Sequence, residues 1–564
     1  MIMMFLIQVQ LQLYLLFISA LFLTTTFAQD DFQKKPNILL ILADDVGTGD
    51  IPVYWNSSIV KMPNIERLAK LGVRFKDAHS TPLCAPSRYM LLSGNYAHRG
   101  FRPNGSWMFW ENQNQFLNHQ KSIATVLSDA GYQTGMFGKW HLGARLPTHD
   151  KQDLYPIIKD YGRLLSDPLF NWNEPIIEGP QEIGFDHSYI TVGGIQDPPY
   201  SFMRDGYLTT SASDVRYWEK GWYEMPFGTS IIGSKHPGEG DKNWDSTAYN
   251  MIIVNETSQF IDDHLQSNPE NPFFAYVALG AAHVPHSPPD KYLDGSPVKG
   301  EYLTRHACML LEMDKVVGSL VSLIENKQIA EDTIIIFTSD NGGLLKTDQV
   351  SDHRTSGPLR GSKSEIYEGG HRVPLIMRYD GSFPSNKIRN RIVGLNDLYA
   401  TICHLIGVEI PSGSAQDSVS FAEYITSTSK ETQKKLRTSI GTWTYKNSKL
   451  LEEAIRLRLL KLIHSTANST YELYDLAADV SETVDLINEP KYAKKVRRMK
   501  RRLSALSPCP THNKVHEGLF FVSKLNATKG CRWFEKKTLK RCEKHFEGGI
   551  HCGNVCVRNQ EWCQ

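Results

Sequence analysis

Three continuous apolar runs constrain this chain more than any other feature. "NILLILADD" at 37–45, "PFFAYVAL" at 272–279 and "TIIIFTSDNG" at 333–342 are rich in Ile, Leu, Val and Phe and show no polar alternation before their last residues. A strand of that kind is covered on both faces, as in a sheet held between layers of helix. "VPLIMRY" at 373–379 reads as a further buried strand. Between the runs the period changes to that of helices. In "NIERLAKLG" Ile65, Leu68 and Ala69 share one face, with Asn64 as the expected cap and Gly72 as the stop. "SIATVLSDAGY" repeats the design with Ser122 as cap and Gly131 behind it, and Met309, Met313, Val316, Val317, Leu320 and Ile324 mark a longer helix. The expected fold class is α/β, a sandwich around a large, mainly parallel central sheet.

Ligands of such sheets collect beyond the carboxyl ends of the strands, so the polar residues that close the runs are informative. Asp44 and Asp45 close the first, Lys139 and His141 lie in "MFGKWHLG", His283 in "ALGAAHVP", and Asp340 and Asn341 in "TSDNGG". Asp44, Asp45, Asp340 and Asn341 offer hard oxygens suited to Ca²⁺ or Mg²⁺ and poorly suited to zinc. Arg88, Lys139, His141, His283 and Lys363 offer the cationic and proton-transfer groups that a bound oxyanion requires. Singly, each has an ordinary reading as a turn, cap or surface residue. Their joint occurrence in one α/β body is what points to a site.

Cys84 stands in "PLCAPSRYMLLSG" at 82–94, beside Arg88 and far from the other cysteines. Cys308 and Cys403 fall in helical patterns, as buried thiols or as a pair. Cys509, Cys531, Cys542, Cys552, Cys556 and Cys563 crowd the end of the chain. The first 29 residues carry no charged side chain and are mostly apolar from Leu11 to Leu23. That pattern is a secretory signal cut after about Ala28 or, alternatively, an uncleaved anchor. An oxidising lumen would make the six late cysteines a disulfide-stapled module whose pairing the sequence leaves open. N-x-S/T sites at Asn56, Asn104, Asn255, Asn468 and Asn526 fit the same route. Lys and Arg (62) balance Asp and Glu (61), so no basic field exists for nucleic acid and any preference for anions is local.

Cys84, Pro86, Ser87 and Arg88 form a C-x-P-S-R element. Around it, in order, lie "PNILLILADDVG", "GYQTGMFGKWHLG", "PFFAYVALGAAHVPH", "IIIFTSDNGG" and "LRGSKSEIYEGGHRVP", with "YELYDLAADVSETVDL" further on. Residues 36 to 374 thus resemble the type I, formylglycine-dependent sulfatases, with an arylsulfatase-like set of blocks. "LLSGN" departs from the arginine with which many relatives close the auxiliary motif. The resemblance implies an alkaline-phosphatase-like sandwich, a smaller C-terminal α+β subdomain and sulfuric ester hydrolysis. It implies that a formylglycine-generating enzyme oxidises Cys84 to formylglycine (3-oxoalanine). The hydrate of that aldehyde carries two hydroxyls, one to attack sulfur and one to expel sulfate. Asp44, Asp45, Asp340, Asn341 and the modified residue 84 would hold one Ca²⁺ per subunit. Arg88 would hold the hydrate, Lys139 and Lys363 the sulfate oxygens. His283 would serve the leaving oxygen, and His141 would take the second hydroxyl's proton.

The expected organisation is a signal over 1–28, a catalytic domain over 33–415, a subdomain of antiparallel strands with a helix over 416–503, and a Cys-rich tail over 504–564. "KKVRRMKRR" at 494–502 reads as the solvated face of a terminal helix, with polysaccharide docking or cleavage after Arg501 as functional alternatives. The tail lies outside the resemblance, and polysaccharide docking is the role considered for it. The substrate is expected to be a sulfated small molecule or glycan. The aromatics of "GGIQDPPYSFMRDG" and "SWMFWENQNQF" read either as a sugar or aryl platform or as ordinary packing. Two readings compete: a phosphoester or phosphonate hydrolase of the same superfamily, and an inactive matrix protein that binds sulfated glycans. A single hard-ligand set weighs against the first, and the full complement of catalytic groups against the second. The expected location is the secretory pathway, ending in the lysosome or outside the cell, with oligomeric state left open.

Overall fold

The computed structural model describes residues 34–55, 58–102, 113–148, 170–219, 221–222, 234–344, 353–446, 449–507, 521–523 and 555–557. The signal region, Asn56, Asn104, Asn526, residues 106–112 and the side chains of the six late cysteines lie outside the described residues. Asn255 and Asn468 are exposed. Among the described residues, no helix is long and apolar enough to cross a membrane.

Strands β1 (Asn37–Ala43), β2 (Val73–His79), β3 (Gln133–Lys139), β4 (His187–Thr191), β5 (Phe273–Ala278), β6 (Thr333–Ser339) and β7 (Arg372–Arg378) form the body of an 11-stranded sheet in the order β2-β7-β6-β1-β5-β3-β4. β6, β1, β5, β3 and β4 are mutually parallel, and β7 runs antiparallel between β6 and β2. The continuous apolar runs are explained by burial on both faces. Ile38, Leu40 and Leu42 of β1 pack with Phe274, Tyr276 and Ile336 on one side, while Leu39, Ile41 and Ala43 pack with Val277, Ile335 and Phe337 on the other. Each fully buried aliphatic side chain of this kind contributes about 1.5–3 kcal/mol. Helices α1 (Pro63–Leu71), α4 (Tyr249–Ser267) and α5 (Arg305–Asn326) cover one face; α2 (Cys84–Ser93), α3 (Ile123–Asp129) and α6 (Asp397–Leu405) cover the other.

Ser122 caps α3 as expected, its hydroxyl accepting from the Thr125 backbone N–H at 3.0 Å. Asn64 is not the cap of α1. The helix begins at Pro63, one residue earlier, and Asp314 of α5 supplies the missing acceptor. Its carboxylate receives the Ile65 N–H at 2.8 Å and the Asn64 side chain at 2.9 Å. The exposed amides at the start of α1 are thus satisfied from another helix, which local spacing does not reveal. Cys308 and Cys403 are free, buried thiols and not a pair.

A second, antiparallel sheet follows: β8 (Ser439–Lys446), β9 (Lys449–Leu457), β10 (Leu460–Ser465) and β11 (Thr470–Asp475). Helix α7 (Ala493–Leu506) lays Val496, Met499 and Leu503 on Ile455, Leu462 and Leu473. Arg497, Arg498 and Arg501 face outward, so the basic run is the solvated face of an amphipathic helix. With Met499 buried inside a helix, the Arg498–Arg501 segment does not offer the extended backbone that a protease cleft binds.

The two sheets are joined by a buried charge network. Arg456 of β9 reaches Asp77 of β2 at 3.1 Å and Glu368, ahead of β7, at 2.5 Å; Lys461 of β10 lies 3.3 Å from Glu368 and 3.0 Å from Glu482. Replacing Arg456 with methionine leaves two carboxylates short of a partner in the interior. The variant is expected to lose about 3–5 kcal/mol, as other broken buried pairs do. A thermal midpoint lowered by several degrees would show it, and an unchanged midpoint would remove the network from the account of stability.

Candidate active site

The topology brings the expected residues together. Because β6, β1, β5 and β3 are adjacent and parallel, their carboxyl ends lie along one edge, and with them Asp340–Asn341, Asp44–Asp45, His283 and Lys139–His141. β2 has the same direction, and its end leads into α2, whose first residue is Cys84. β7 runs the other way, so the segment before it returns Lys363 to the same edge. A helix N-terminus carries partial positive charge, which suits residue 84 to a site for anions. In β3, Gly138 has φ +99°, and a Cβ there would lie 1.9 Å from the Ala278 carbonyl oxygen. Only glycine lets the strand turn there and deliver Lys139 and His141 so close to β5.

Cys84 Sγ lies 3.4 Å from His141 Nδ1. Arg88 donates to Asp340 Oδ2 at 2.7 and 3.2 Å and to the Lys139 carbonyl at 2.7 Å. Lys139 Nζ donates to Asp44 Oδ2 at 2.6 Å, and Lys363 Nζ to Asp45 Oδ1 at 2.6 Å. Asn341 donates to Asp45 Oδ1 at 2.8 Å, and His283 Nε2 stands 3.7 Å from Asp45 Oδ2. All ten of the residues picked out from the sequence are in this one cluster, nine of them buried and Lys363 partly so.

The charges are mutually tuned. Burial opposes ionisation of Asp44 and Asp45, but Lys139 beside the first holds it well below the ordinary carboxylate range, and Lys363 beside the second lowers it too. Burial and the neighbouring Asp44 push Asp340 up against the pull of Arg88. Burial, reinforced by Lys139, lowers His141 to about 3; burial and Lys363 lower His283 to about 4. His283 Nδ1 is 2.5 Å from the Val284 carbonyl, which only accepts, so Nδ1 carries a proton and Nε2 is the atom free to gain or lose one.

Asp44 Oδ1, Asp45 Oδ2 and Asn341 Oδ1 are buried with no hydrogen-bond partner among the described residues. Three orphaned hard oxygens converging beside Asp340 are costly unless a cation takes them up, and their chemistry fits Ca²⁺ or Mg²⁺. Ligand atoms of Asp44, Cys84 and Asp340 lie within 4.8 Å of one another.

A family model described as Sulfatase matches residues 36–408, well over half of the chain. The chain belongs to the sulfatase family. Sulfatases are sulfuric ester hydrolases, and this sulfatase has their alkaline-phosphatase-like fold. A second model, N-sulphoglucosamine sulphohydrolase, C-terminal, matches residues 362–508. The sulfatase is 28% identical to an N-acetylgalactosamine-6-O-sulfatase of Bacteroides thetaiotaomicron over 80% of this chain and 89% of that protein. It is 28% identical to human arylsulfatase D over 68% of this chain and 67% of the relative. Among solved structures, one from work on glycosaminoglycan metabolism by Bacteroides thetaiotaomicron superposes with a TM-score of 0.67 at 25% identity, covering 83% of this chain and 98% of the other. A Pseudoalteromonas sulfatase shares the fold at a TM-score of 0.60 and 20% identity, over 85% and 92% of the two chains.

Two features of this sulfatase's site were not legible in advance. Asp197 acts electrostatically on His141 and binds His236 Nδ1 at 2.7 Å, so a carboxylate–imidazole pair backs the candidate cluster. No motif links residues 39 positions apart in this way. The aromatics of the 193–206 loop are not an open platform: Tyr200 and Phe202 are buried against Trp244. The loop spends them on packing.

Proposed function

We propose that this sulfatase cleaves the sulfate ester of a carbohydrate, using formylglycine made from Cys84 and one bound Ca²⁺. The carrying observation is the convergence of Cys84, His141, three cations and three orphaned hard oxygens at one sheet edge. The formylglycine hydrate would supply a hydroxyl to attack sulfur and a second to release sulfate, while Ca²⁺ held by Asp44, Asp45, residue 84, Asp340 and Asn341 would supply positive charge for a sulfate oxygen. The protein's own groups do the rest. Lys139 and Lys363, each 2.6 Å from a carboxylate on the cluster's wall, are placed to bind sulfate oxygens. Arg88, tied to Asp340 and to the Lys139 carbonyl, fixes the position of residue 84 and its hydroxyls. His141 is held neutral by burial and can accept a proton from residue 84. His283 keeps Nδ1 on the Val284 carbonyl, and a bound anion would favour the proton on Nε2 that the leaving oxygen needs. Asp44, Asp45 and Asp340 balance Arg88, Lys139 and Lys363, so a divalent ion gives the pocket the net positive charge that an anionic sulfate demands.

The names of several relatives, N-acetylgalactosamine-6-sulfatases of dog and rat among them, favour a 6-O-sulfated amino sugar as the first substrate to test. Residues 33–415 would form the catalytic domain and 416–503 its companion, in a glycoprotein of the secretory pathway. The test is turnover of purified protein on 6-sulfated N-acetylgalactosamine, other sulfated glycans, a chromogenic aryl sulfate and the matching aryl phosphate. Sulfate esters are expected to exceed the phosphate by about 100-fold or more, on the scale of a site built for one anion. The peptide containing residue 84 is expected to carry the mass of an aldehyde. Faster phosphate turnover, or full activity with an intact thiol at 84, would reject the proposal.

A further inference from the structure

The charge of this chain is divided unevenly along its length. Residues 491–564 hold 18 of the 62 Lys and Arg but only 5 of the 61 Asp and Glu, a formal +13, which leaves −12 on residues 1–490. The near-neutral total therefore conceals a basic end on an acidic body. Eight of those cations fall within residues 491–502, a stretch that contains no acid. Helix α7 arranges them. Val496, Met499 and Leu503 are buried against the antiparallel sheet. Lys494, Arg497, Arg498 and Arg501, at i, i+3, i+4 and i+7, form an exposed stripe on the opposite face. At 1.5 Å per residue the stripe is roughly 10 Å long. Among the described residues, none of the four pairs with a carboxylate. Lys494 and Arg498 stand one turn apart as like charges, as do Arg497 and Arg501, and Lys494 and Lys495 lie in the first turn, where the helix dipole disfavours cations. Burial and Arg498, one turn before it, also push Arg502 below the ordinary guanidinium range. A helix arranged only for its own stability would carry acids among these positions. An anion laid along the stripe relieves the crowding.

We propose that this face of α7 is a docking surface for a sulfated polysaccharide, the polymer whose sulfate esters the candidate active site hydrolyses; the choice of polyanion rests on the carbohydrate-sulfatase reading. Guanidinium forks match the oxygens of a sulfate ester, and a row of cations suits a linear polyanion better than a lone anion. The acidic remainder of the chain repels such a polymer elsewhere, which confines docking to the basic end. The fold ties this face to the site. Arg456 of β9, in the sheet that carries α7, reaches Asp77 of β2, the strand that leads to Cys84. Leu506, at the end of α7, packs against the apolar cluster that includes Met90 of α2, the helix that begins at Cys84. A polymer held on α7 is thereby kept at high local concentration on the catalytic body.

The test uses the full-length chain and chondroitin 6-sulfate, a polymer that carries 6-sulfated N-acetylgalactosamine. Binding is read on Cys84→Ala, which cannot turn the polymer over, and is expected to weaken steeply as NaCl rises from about 0.05 to about 0.2 M. Adding Lys494→Gln, Arg497→Gln, Arg498→Gln and Arg501→Gln together should weaken it at least about tenfold and flatten the salt dependence, because counterion release scales with the cations engaged. The same loss of charge at exposed positions of the catalytic body, Lys61→Gln, Lys70→Gln, Lys291→Gln and Lys387→Gln, should leave binding unchanged. With Cys84 intact, the α7 variant should lose kcat/KM on the polymer through KM and keep its rate on a chromogenic aryl sulfate. An enzyme inert on every sulfate ester whose Cys84→Ala form still docks the polymer would mark failure of the sulfatase reading and leave the docking surface standing. Binding indifferent to salt, equal binding of the desulfated polymer, or full binding by the α7 variant would overturn the proposal. So would tighter binding of duplex DNA or of phosphatidylserine vesicles at the same salt, since the partner would then be another polyanion.

Discussion

Replacing Cys84 with serine is expected to abolish multiple turnover and to leave a sulfate ester trapped on the introduced side chain. Serine has one hydroxyl. Set at the start of α2, beside His141 and near Lys139 and Lys363, that hydroxyl would still be able to attack sulfur, since the groups proposed to bind and polarise the sulfate are unchanged. What it lacks is the second hydroxyl on the same carbon, whose deprotonation by His141 would expel the sulfate. Without it the ester can be lost only by slow attack of water at sulfur. The steady-state rate is therefore expected to fall by about 10⁴-fold or more, the range seen when a covalent catalytic group is removed. Intact-mass analysis after incubation with an aryl sulfate should show one added sulfate per chain. Sustained turnover by the serine variant near the wild-type rate would eliminate the formylglycine mechanism and leave the fold assignment untouched.

The second large effect is expected from Asp340. Its carboxylate accepts two hydrogen bonds from Arg88 and lies among the ligand atoms of Asp44 and Cys84. Asp340→Ala removes a proposed oxygen ligand and takes from the buried Arg88 guanidinium the carboxylate it donates to twice. Calcium content and activity are expected to fall together, activity by about 10³-fold or more, given the several kcal/mol of charge stabilisation a metal supplies. Asp340→Asn keeps the shape and separates folding from chemistry. For the wild type, added CaCl₂ should raise the unfolding temperature, by the equivalent of about 2.7 kcal/mol at a hundred times the dissociation constant. For either variant that rise should shrink or vanish. Activity lost with calcium binding intact would mean that Asp340 serves Arg88 alone.

Much of the site was legible because its residues close strands, and strands announce themselves. The runs ending at Ala43, Ala278 and Ser339 are each buried on both faces, so their sequence has no choice but to be apolar, and the first polar residue marks the edge of the sheet. What remained hidden arises between segments. Asp314 caps a helix some 250 residues away in sequence. Asp197 finds His236, and Arg456 finds Asp77 across 379 positions. The aromatics of the 193–206 loop could equally have faced a ligand or the core, because a ring has the same apolar surface in both places.

By itself the sequence determined the α/β class, the strand ends, the odd cysteine ahead of Arg88 and the inventory of hard oxygens and cations, since local period and side-chain chemistry are properties of short segments. Only the tertiary structure decided which oxygens are left without hydrogen-bond partners among the described residues, how Lys139 and Lys363 divide between Asp44 and Asp45, and that Asp50, His306 and His353 come together in one buried place. Charge pairing and ligand convergence depend on distances of a few ångströms between residues far apart in the chain. Those distances are set by strand order and by which element packs on which, and no periodicity in the sequence encodes them.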